Sequence, residues 1–473
     1  MSKEEITIES EISRVAQKFL ESSKDKHIHV ISHFDTDGIS SAAIMIQALK
    51  NLDRSFDIKI LKSLEKDFID KLPKNNILLF LDLGSGNLTH LEKTGAKDIF
   101  IIDHHQIDDS QSKFGESINI INPELHKKQK ISGSGLTYLF CKEIDKENKE
   151  LSKLAILGMI GDTLEKEIDN LNQDILNDGE IKRKRGLLIY PSTRPLNRTL
   201  EYCSNPFIPG VTGDTKGVLE LLRESGITPQ NGRYKSLIEL DEEEMEKLVT
   251  AIMLRNPKTR NKDIIGDIFL IKIFNKLEDA RELSAMINAC SRMGNPNTAI
   301  KFCMEINDSK KSAEAIHAKY KQYLISGLKY ASENIQTQGK GYAIMNAGNN
   351  IKDTMIGTIA SILSNSSIYE EGTIITTLAQ REEDQKIKVS ARAVGDPGRN
   401  LRELLKEVIN KTCTDKNEKE ETEVGGHEFA AGAVIPKNKE QEFIEALEKS
   451  LEIEVVKVQN KKPFQNTEDN FSE

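Results

Sequence analysis

Three stretches in the first quarter of the chain share one grammar: an apolar run that stops abruptly on acidic or histidine residues. They are HIHVISHFDTDG (27–38), NILLFLDLGSG (76–86) and DIFIIDHHQ (98–106). A continuous apolar run of this length, bounded by glycine and polar residues, is the signature of a strand covered on both faces, which is how parallel sheets are built. A shorter run, INIIN (118–122), repeats the pattern. Between the runs lie helical segments. Ile8, Ile12, Val15, Phe19 and Leu20 fall at helical spacing, small and β-branched residues follow Gly38, and SGSGLTYLF opens a capped helix. Strands alternating with helices, with polar groups gathered where the strands end, predict an α/β fold with an open parallel sheet whose site lies along its C-terminal edge.

With 473 residues the chain exceeds one ordinary core. After about residue 175 the sequence becomes charged and loop-rich, with a basic run Lys182–Arg185 read as solvated surface, then prolines at 191, 195, 206 and 209. The expected organisation is a catalytic α/β domain over 1–200, a mainly helical insertion over 201–285 and a connector helix over 286–330. A smaller α/β domain over 331–458 and a polar, disordered tail over 459–473 complete it. Five cysteines without a CxxC pair exclude a zinc knuckle and fit reduced thiols. No apolar run reaches the roughly 20 residues of a membrane helix, and MSKEEITIES lacks a signal-peptide layout. A cytoplasmic protein without a membrane partner is expected. The net charge of −9 argues against indiscriminate coating of nucleic acid and leaves room for a local basic groove.

The polar residues at the element ends are His33, Asp35, Asp37, Asp82, Asp103, His104 and His105, with Asp162 at the end of LSKLAILGMIGDT. Any one of them has an ordinary explanation as a turn former or helix cap. Five aspartates and three histidines at four element ends would repel one another without a cation among them. Carboxylates with a minority of imidazole and no thiolate suit manganese or magnesium better than structural zinc. Two such ions about 3.5–4 Å apart need a shared carboxylate, for which Asp82, in the middle of the sheet, is placed best. Metal-assisted phosphoester hydrolysis is the reaction class that follows. Downstream, Gly425 and Gly426 allow close backbone approach to a ligand and His427 can donate to it, while Ser390 and Arg392 end the strand KVSARA. Arg281 and Arg292 read as solvated helix residues.

HFDTDG (33–38), Asp82, DHH (103–105), GD (161–162) and GGH (425–427) together resemble the motif series of the DHH phosphoesterase superfamily with a DHHA1-type second domain. RPLNRTLEYCSNPFIPGVTGD (194–214) and DARELSAMINACSRMG (279–294) are similar to archaeal RecJ-like nucleases, including the GINS-associated nuclease of the replication complex. The resemblance implies one manganese on His33, Asp35 and Asp82, and a second on Asp37, Asp82, His104 and Asp162. It implies that His105 meets the scissile phosphate, that Asp103 braces the histidine pair, and that Ser390, Arg392, Gly425, Gly426 and His427 bind substrate in a cleft between domains. The implied activity is a two-metal exonuclease on single-stranded DNA or RNA that releases mononucleotides, with Mn2+ (or Mg2+) as cofactor and GINS or another replication protein as partner. The bacterial relatives carry a further OB domain, whose place here is taken by a short tail, so strand binding is expected to lean on such a partner. A phosphohydrolase for oligoribonucleotides or cyclic dinucleotides and a replication scaffold are the alternatives.

Overall fold

The computed structural model describes residues 7–452 apart from 108–113, 127–128, 167, 180, 204–205, 207, 256–263, 335–336, 367, 382–383, 416–417 and 420. The tail expected over 459–473 lies outside the described residues. The chain forms two compact units, divided between Ser326 and Gly327.

The first unit is organised by a parallel sheet of β1 (Ile28–His33), β2 (Phe56–Leu61), β3 (Ile77–Leu81), β4 (Asp98–Ile102) and β5 (Ile118–Ile121), in the order β2-β1-β3-β4-β5. All five residues of β3 are buried. The two-residue period of a strand sends Leu79 and Leu81 to one face and Leu78 and Phe80 to the other. The first face is covered by the helices Ile8–Ser22, Thr36–Asn51, Gly133–Ile144 and Ser152–Gly161. Phe19 locks the first of these down by edge contacts with Phe100 and Phe140, at ring separations of 5.3 and 5.5 Å. From β1 the chain turns to β2 on one side, then crosses to β3 on the other. The C-terminal ends of β1 and β3 therefore flank the point where strand order reverses, which is where open α/β sheets leave a crevice for ligands.

The basic run is exposed at Lys182, Arg183 and Arg185, but it is an ordered strand with partners. Residues Lys182–Leu187 form β6, which pairs antiparallel with β7 (Ile265–Ile273), itself paired with β8 (Lys276–Asp279). Arg183 pairs with Asp267 at 2.5 Å, and Lys184 Nζ donates to the carbonyls of Ile238 and Leu240 at 2.8 Å each. The run has no apolar face of its own, so its strand character comes from its partner. The helices Leu196–Glu201, Thr215–Glu224 and Glu242–Arg255 share a separate core of Leu187, Leu196, Val218, Leu221, Leu248 and Ile252. The connector is three helices in succession, Ala280–Arg292, Pro296–Cys303 and Ser309–Glu333, the first pair separated at Gly294 with φ +76°.

The second unit is a mixed sheet of β9 (Thr337–Gly339), β10 (Tyr342–Asn346), β11 (Ile374–Gln380), β12 (Ile387–Ala393), β13 (Glu423–Gly426) and β14 (Ala430–Ile435), ordered β13-β14-β12-β11-β10-β9. Leu404, Leu405 and Val408 of one helix, with Phe443 and Leu447 of another, close its main core. Among the described residues, no helix of either unit is long and apolar enough to cross a membrane.

Candidate metal centre

The cluster is built from strand ends inward. His33 is the last residue of β1, and Asp35 caps the helix Thr36–Asn51 by accepting from Gly38 N–H at 3.0 Å. The helix begins earlier than the run after Gly38 suggested, so Asp37 stands in its first turn, where a negative side chain is favoured. A β-carbon on Gly38 would lie 2.3 Å from the His33 carbonyl, so this tight turn admits glycine alone. Asp82 follows β3 with φ +56°, a left-handed conformation that aspartate tolerates better than most residues. Asp103, His104 and His105 follow β4, and Asp162 follows the helix Ser152–Gly161.

These residues converge. His33 Nδ1 lies 3.1 Å from Asp35 Oδ2 and 3.4 Å from Asp82 Oδ2. His104 Nε2 lies 3.3 Å from Asp82 Oδ1, 3.3 Å from Asp162 Oδ2 and 3.7 Å from Asp37 Oδ2. Three ligand groups emerge here, His33–Asp35–Asp82, Asp37–His104–Asp162 and Asp82–His104–His105, with Asp82 and His104 linking them. His105 stands slightly apart, 3.9 Å from Asp82 Oδ1, and is held at 2.7 Å by Asp103 Oδ1. Asp103 also accepts from the backbone N–H groups of Ser85, His104 and His105.

The electrostatics of the cluster are set by burial and by like charges held close together. Burial, reinforced by the charges of Asp37 and Asp35, pushes the Asp82 carboxyl well above its ordinary value. Burial and Asp37 do the same to Asp162. Burial opposes the change at His33, yet Asp35 and Asp82 hold its imidazole well above the usual range. Asp35 goes the other way: against burial, His33 and Gly38 N–H keep its carboxyl far below normal. Both oxygens of Asp82, Asp162 Oδ2 and His33 Nδ1 are buried without a hydrogen-bond partner. Buried polar atoms are rarely left so, and four of them within adjoining ligand groups, on hard oxygen and imidazole donors, fit divalent metal.

Several supporting residues escaped the sequence reading. Asp37 accepts from Gly133 N–H at 2.6 Å and Ser134 N–H at 3.0 Å, so the SGSG start of the helix Gly133–Ile144 holds a carboxylate of the cluster. Gly158 is required beside it, since a β-carbon there would come within 2.2 Å of Asp37 Oδ1. Asn122 donates to the His105 carbonyl at 3.0 Å and to Ser85 Oγ at 2.8 Å. The SGSG spelling and the asparagine closing INIIN were the available signals. Arg292, read as a solvated residue, stacks on Phe34 at 5.9 Å, next to His33, and Arg281 donates to the Asp267 carbonyl.

The second-domain candidates lie in the second unit, across neighbouring strands. Ser390 and Gly425 both register with Gly432, on β12 and β13. Arg392 is tied to Ser361 Oγ and to the carbonyls of Ala391 and Ala431. Gly426, at φ +112°, passes 2.4 Å from the Ala430 carbonyl by its would-be β-carbon, and His427 N–H bonds that carbonyl at 2.8 Å.

Comparison with known proteins agrees with this architecture. The DHH family N-terminal domain matches residues 27–161, the DHH-CID domain 189–262 and the DHHA1 domain 339–452. An uncharacterised protein of Methanocaldococcus jannaschii is 30% identical over 435 residues, covering 89% of this chain and 92% of its own. A prophage-derived protein of Bacillus subtilis, provisionally named a single-strand DNA-specific exonuclease, is 27% identical over 172 residues, 33% of this chain and 28% of that protein. Among solved structures, Thermus thermophilus RecJ with Mn2+ aligns at a TM-score of 0.57 and 16% identity over 93% of this chain, which spans 54% of that one. CDC45 of Entamoeba histolytica aligns at 0.65 and 10% identity, covering 94% and 99% of the two chains. These last two likenesses are of fold. The chain belongs to the DHH superfamily, with a DHH domain, a DHH-CID domain and a DHHA1 domain in that order.

Proposed function

We propose that this protein is a manganese-dependent exonuclease that cuts single-stranded nucleic acid to mononucleotides, with a role in DNA replication or repair. The observation that carries the reading is the set of unpartnered, buried carboxylate and imidazole atoms at the β1/β3 crevice. In it, His33, Asp35 and Asp82 would hold one ion, and Asp37, Asp82, His104 and Asp162 the other, with Asp82 shared. Bound there, divalent ions supply Lewis-acid polarisation of a phosphate and activation of a water. Asp103 fixes the His105 ring at 2.7 Å, and His105, the most exposed histidine of the cluster, would donate to the scissile phosphate instead of completing a ligand group with Asp82 and His104. Arg292, over Phe34, sets a cation beside His33 for the next phosphate of the strand. In the second unit Ser390, Arg392, Gly425, Gly426 and His427 would contact substrate phosphate or sugar.

The name of the Bacillus subtilis relative and the RecJ-like fold support a single-stranded substrate over a dinucleotide. GINS or another replication protein as partner belongs to the same reading, supported by the sequence of 194–214 and 279–294. The test is a single strand of DNA or RNA, labelled at each end in turn, incubated with Mn2+, with Mg2+ or with chelator. Mononucleotide release that needs metal and vanishes in Asp82→Ala is expected. Cleavage that survives chelator or the substitution would place the chemistry elsewhere, and turnover of dinucleotides in preference to long strands would favour the small-substrate alternative.

A further inference from the structure

A second group of metal-binding side chains sits at the opposite end of the same sheet. His27 directly precedes β1 and His29 lies within it, two residues on and therefore on the same face. Asp57 of β2 is the register partner of His29. Its Oδ1 lies 2.7 Å from His27 Nε2 and 2.6 Å from His29 Nδ1. His33 is four residues further along β1, about 13 Å at the rise of a strand, so this group is separate from the cluster at the strand C-terminal ends.

Each imidazole is braced on its far nitrogen, His27 Nδ1 by Ser55 Oγ at 2.8 Å and His29 Nε2 by the Asn76 side-chain amide at 2.9 Å. A hydroxyl accepting from His27 Nδ1–H leaves a lone pair on Nε2. In the structure Asn76 Nδ2 faces His29 Nε2; a half-turn of the amide, whose oxygen and nitrogen are interchangeable assignments, brings Oδ1 there instead, so that Nε2–H donates and the Nδ1 lone pair points at the same spot. Outer hydrogen bonds of this kind fix the tautomer of metal-bound histidines.

We propose that His27, His29 and Asp57 bind one Zn2+ ion at the N-terminal edge of the sheet, clamping edge strand β2 to β1. Two imidazoles to one carboxylate favour zinc over manganese or magnesium, the reverse of the balance at the β1/β3 crevice. Tetrahedral zinc at about 2.0–2.1 Å from each ligand needs donors about 3.3 Å apart; the two carboxylate–imidazole contacts reach this by opening by well under 1 Å, and all three donor atoms lie within 4.8 Å of one another. The side chain of Asp57 is 54% exposed, which leaves the fourth position to water.

Zinc binding at this edge is separate from nuclease activity and is measured without it. The full chain is loaded with Zn2+, dialysed and assayed for zinc per chain, beside His29→Gln and Asp57→Asn. The wild type is expected to hold one equivalent more than either variant, while Asp82→Asn keeps this equivalent. Zn2+ is further expected to shift the ring resonances of His27 and His29 in the wild type, a readout that survives if a variant folds poorly. Equal zinc in wild type and His29→Gln, or unmoved ring resonances, would overturn the site and leave a hydrogen-bonded surface cluster.

Discussion

Asp82 Oδ1 and His104 Nε2 stand 3.3 Å apart at the C-terminal edge of the first unit's sheet, yet neither oxygen of that buried carboxylate receives a hydrogen bond. Such an arrangement is costly in a protein without metal and useful in one with it. Asp82→Asn is therefore expected to stabilise the metal-free protein, by on the order of 1 kcal/mol, because it removes a carboxyl crowded by Asp35 and Asp37. The same change should remove metal-induced stabilisation and lower cleavage by on the order of 10³-fold, several kcal/mol of barrier. Asp82→Ala should be about 1 kcal/mol less stable than Asp82→Asn, since alanine tolerates φ +56° poorly. Melting midpoints with and without Mn2+ measure all of this except the rate.

Gly158→Ala tests the support beneath Asp37. The new β-carbon would sit 2.0 Å from Ser134 Oγ and 2.2 Å from Asp37 Oδ1. Loss of about 1–3 kcal/mol is expected from overpacking, together with weaker metal binding by titration calorimetry. Unchanged metal affinity would mean that Asp37 is not a ligand.

Asp103→Asn tests orientation without touching a proposed ligand. Asp103 holds the His105 ring and three backbone N–H groups. Bracing groups of this kind are typically worth about 10–100-fold. The expected result is that kcat falls by about that much while the metal content stays at two ions per chain. Loss of metal along with activity would instead make Asp103 part of the ligand set.

His317 gives the fold a pH dependence away from the site. Burial, with Lys321 adding to it, pushes its imidazole down to about 3. The folded protein keeps His317 neutral, whereas the unfolded chain takes up a proton below about pH 6.5. This residue therefore leaves stability untouched above pH 6.5 and erodes it, by up to several kcal/mol, as pH falls from 6.5 towards 3. His317→Gln should flatten the stability profile in that window, measured by denaturant midpoints at a series of pH values. A parallel slope in both proteins would contradict the assignment.

The sheet of the first unit and the cluster at its edge were legible because burial on both faces leaves an unbroken apolar run, and the polar residue ending each run is conspicuous against it. Asp162 was legible for the same reason, closing the apolar helix Ser152–Gly161. The strand β6 was not, because Lys182–Arg185 carries no apolar alternation and owes its conformation to β7, about 80 residues away in sequence. The backbone donors to Asp37 were hidden differently: a glycine–serine helix start reads as a cap, and only the tertiary fold brings it to a carboxylate nearly a hundred residues earlier. Arg292 looked like solvent-facing charge since nothing in its helix reveals that Phe34 lies beneath it.

Whether two ions share Asp82 is read most directly by electron paramagnetic resonance of the Mn2+-loaded protein. Two manganese ions about 3.5–4 Å apart through a common carboxylate give an exchange-coupled signal. That signal is expected at two equivalents of Mn2+ per chain, and its loss is expected in Asp82→Asn. An isolated-ion spectrum at saturation, or coupling that persists in Asp82→Asn, would contradict it.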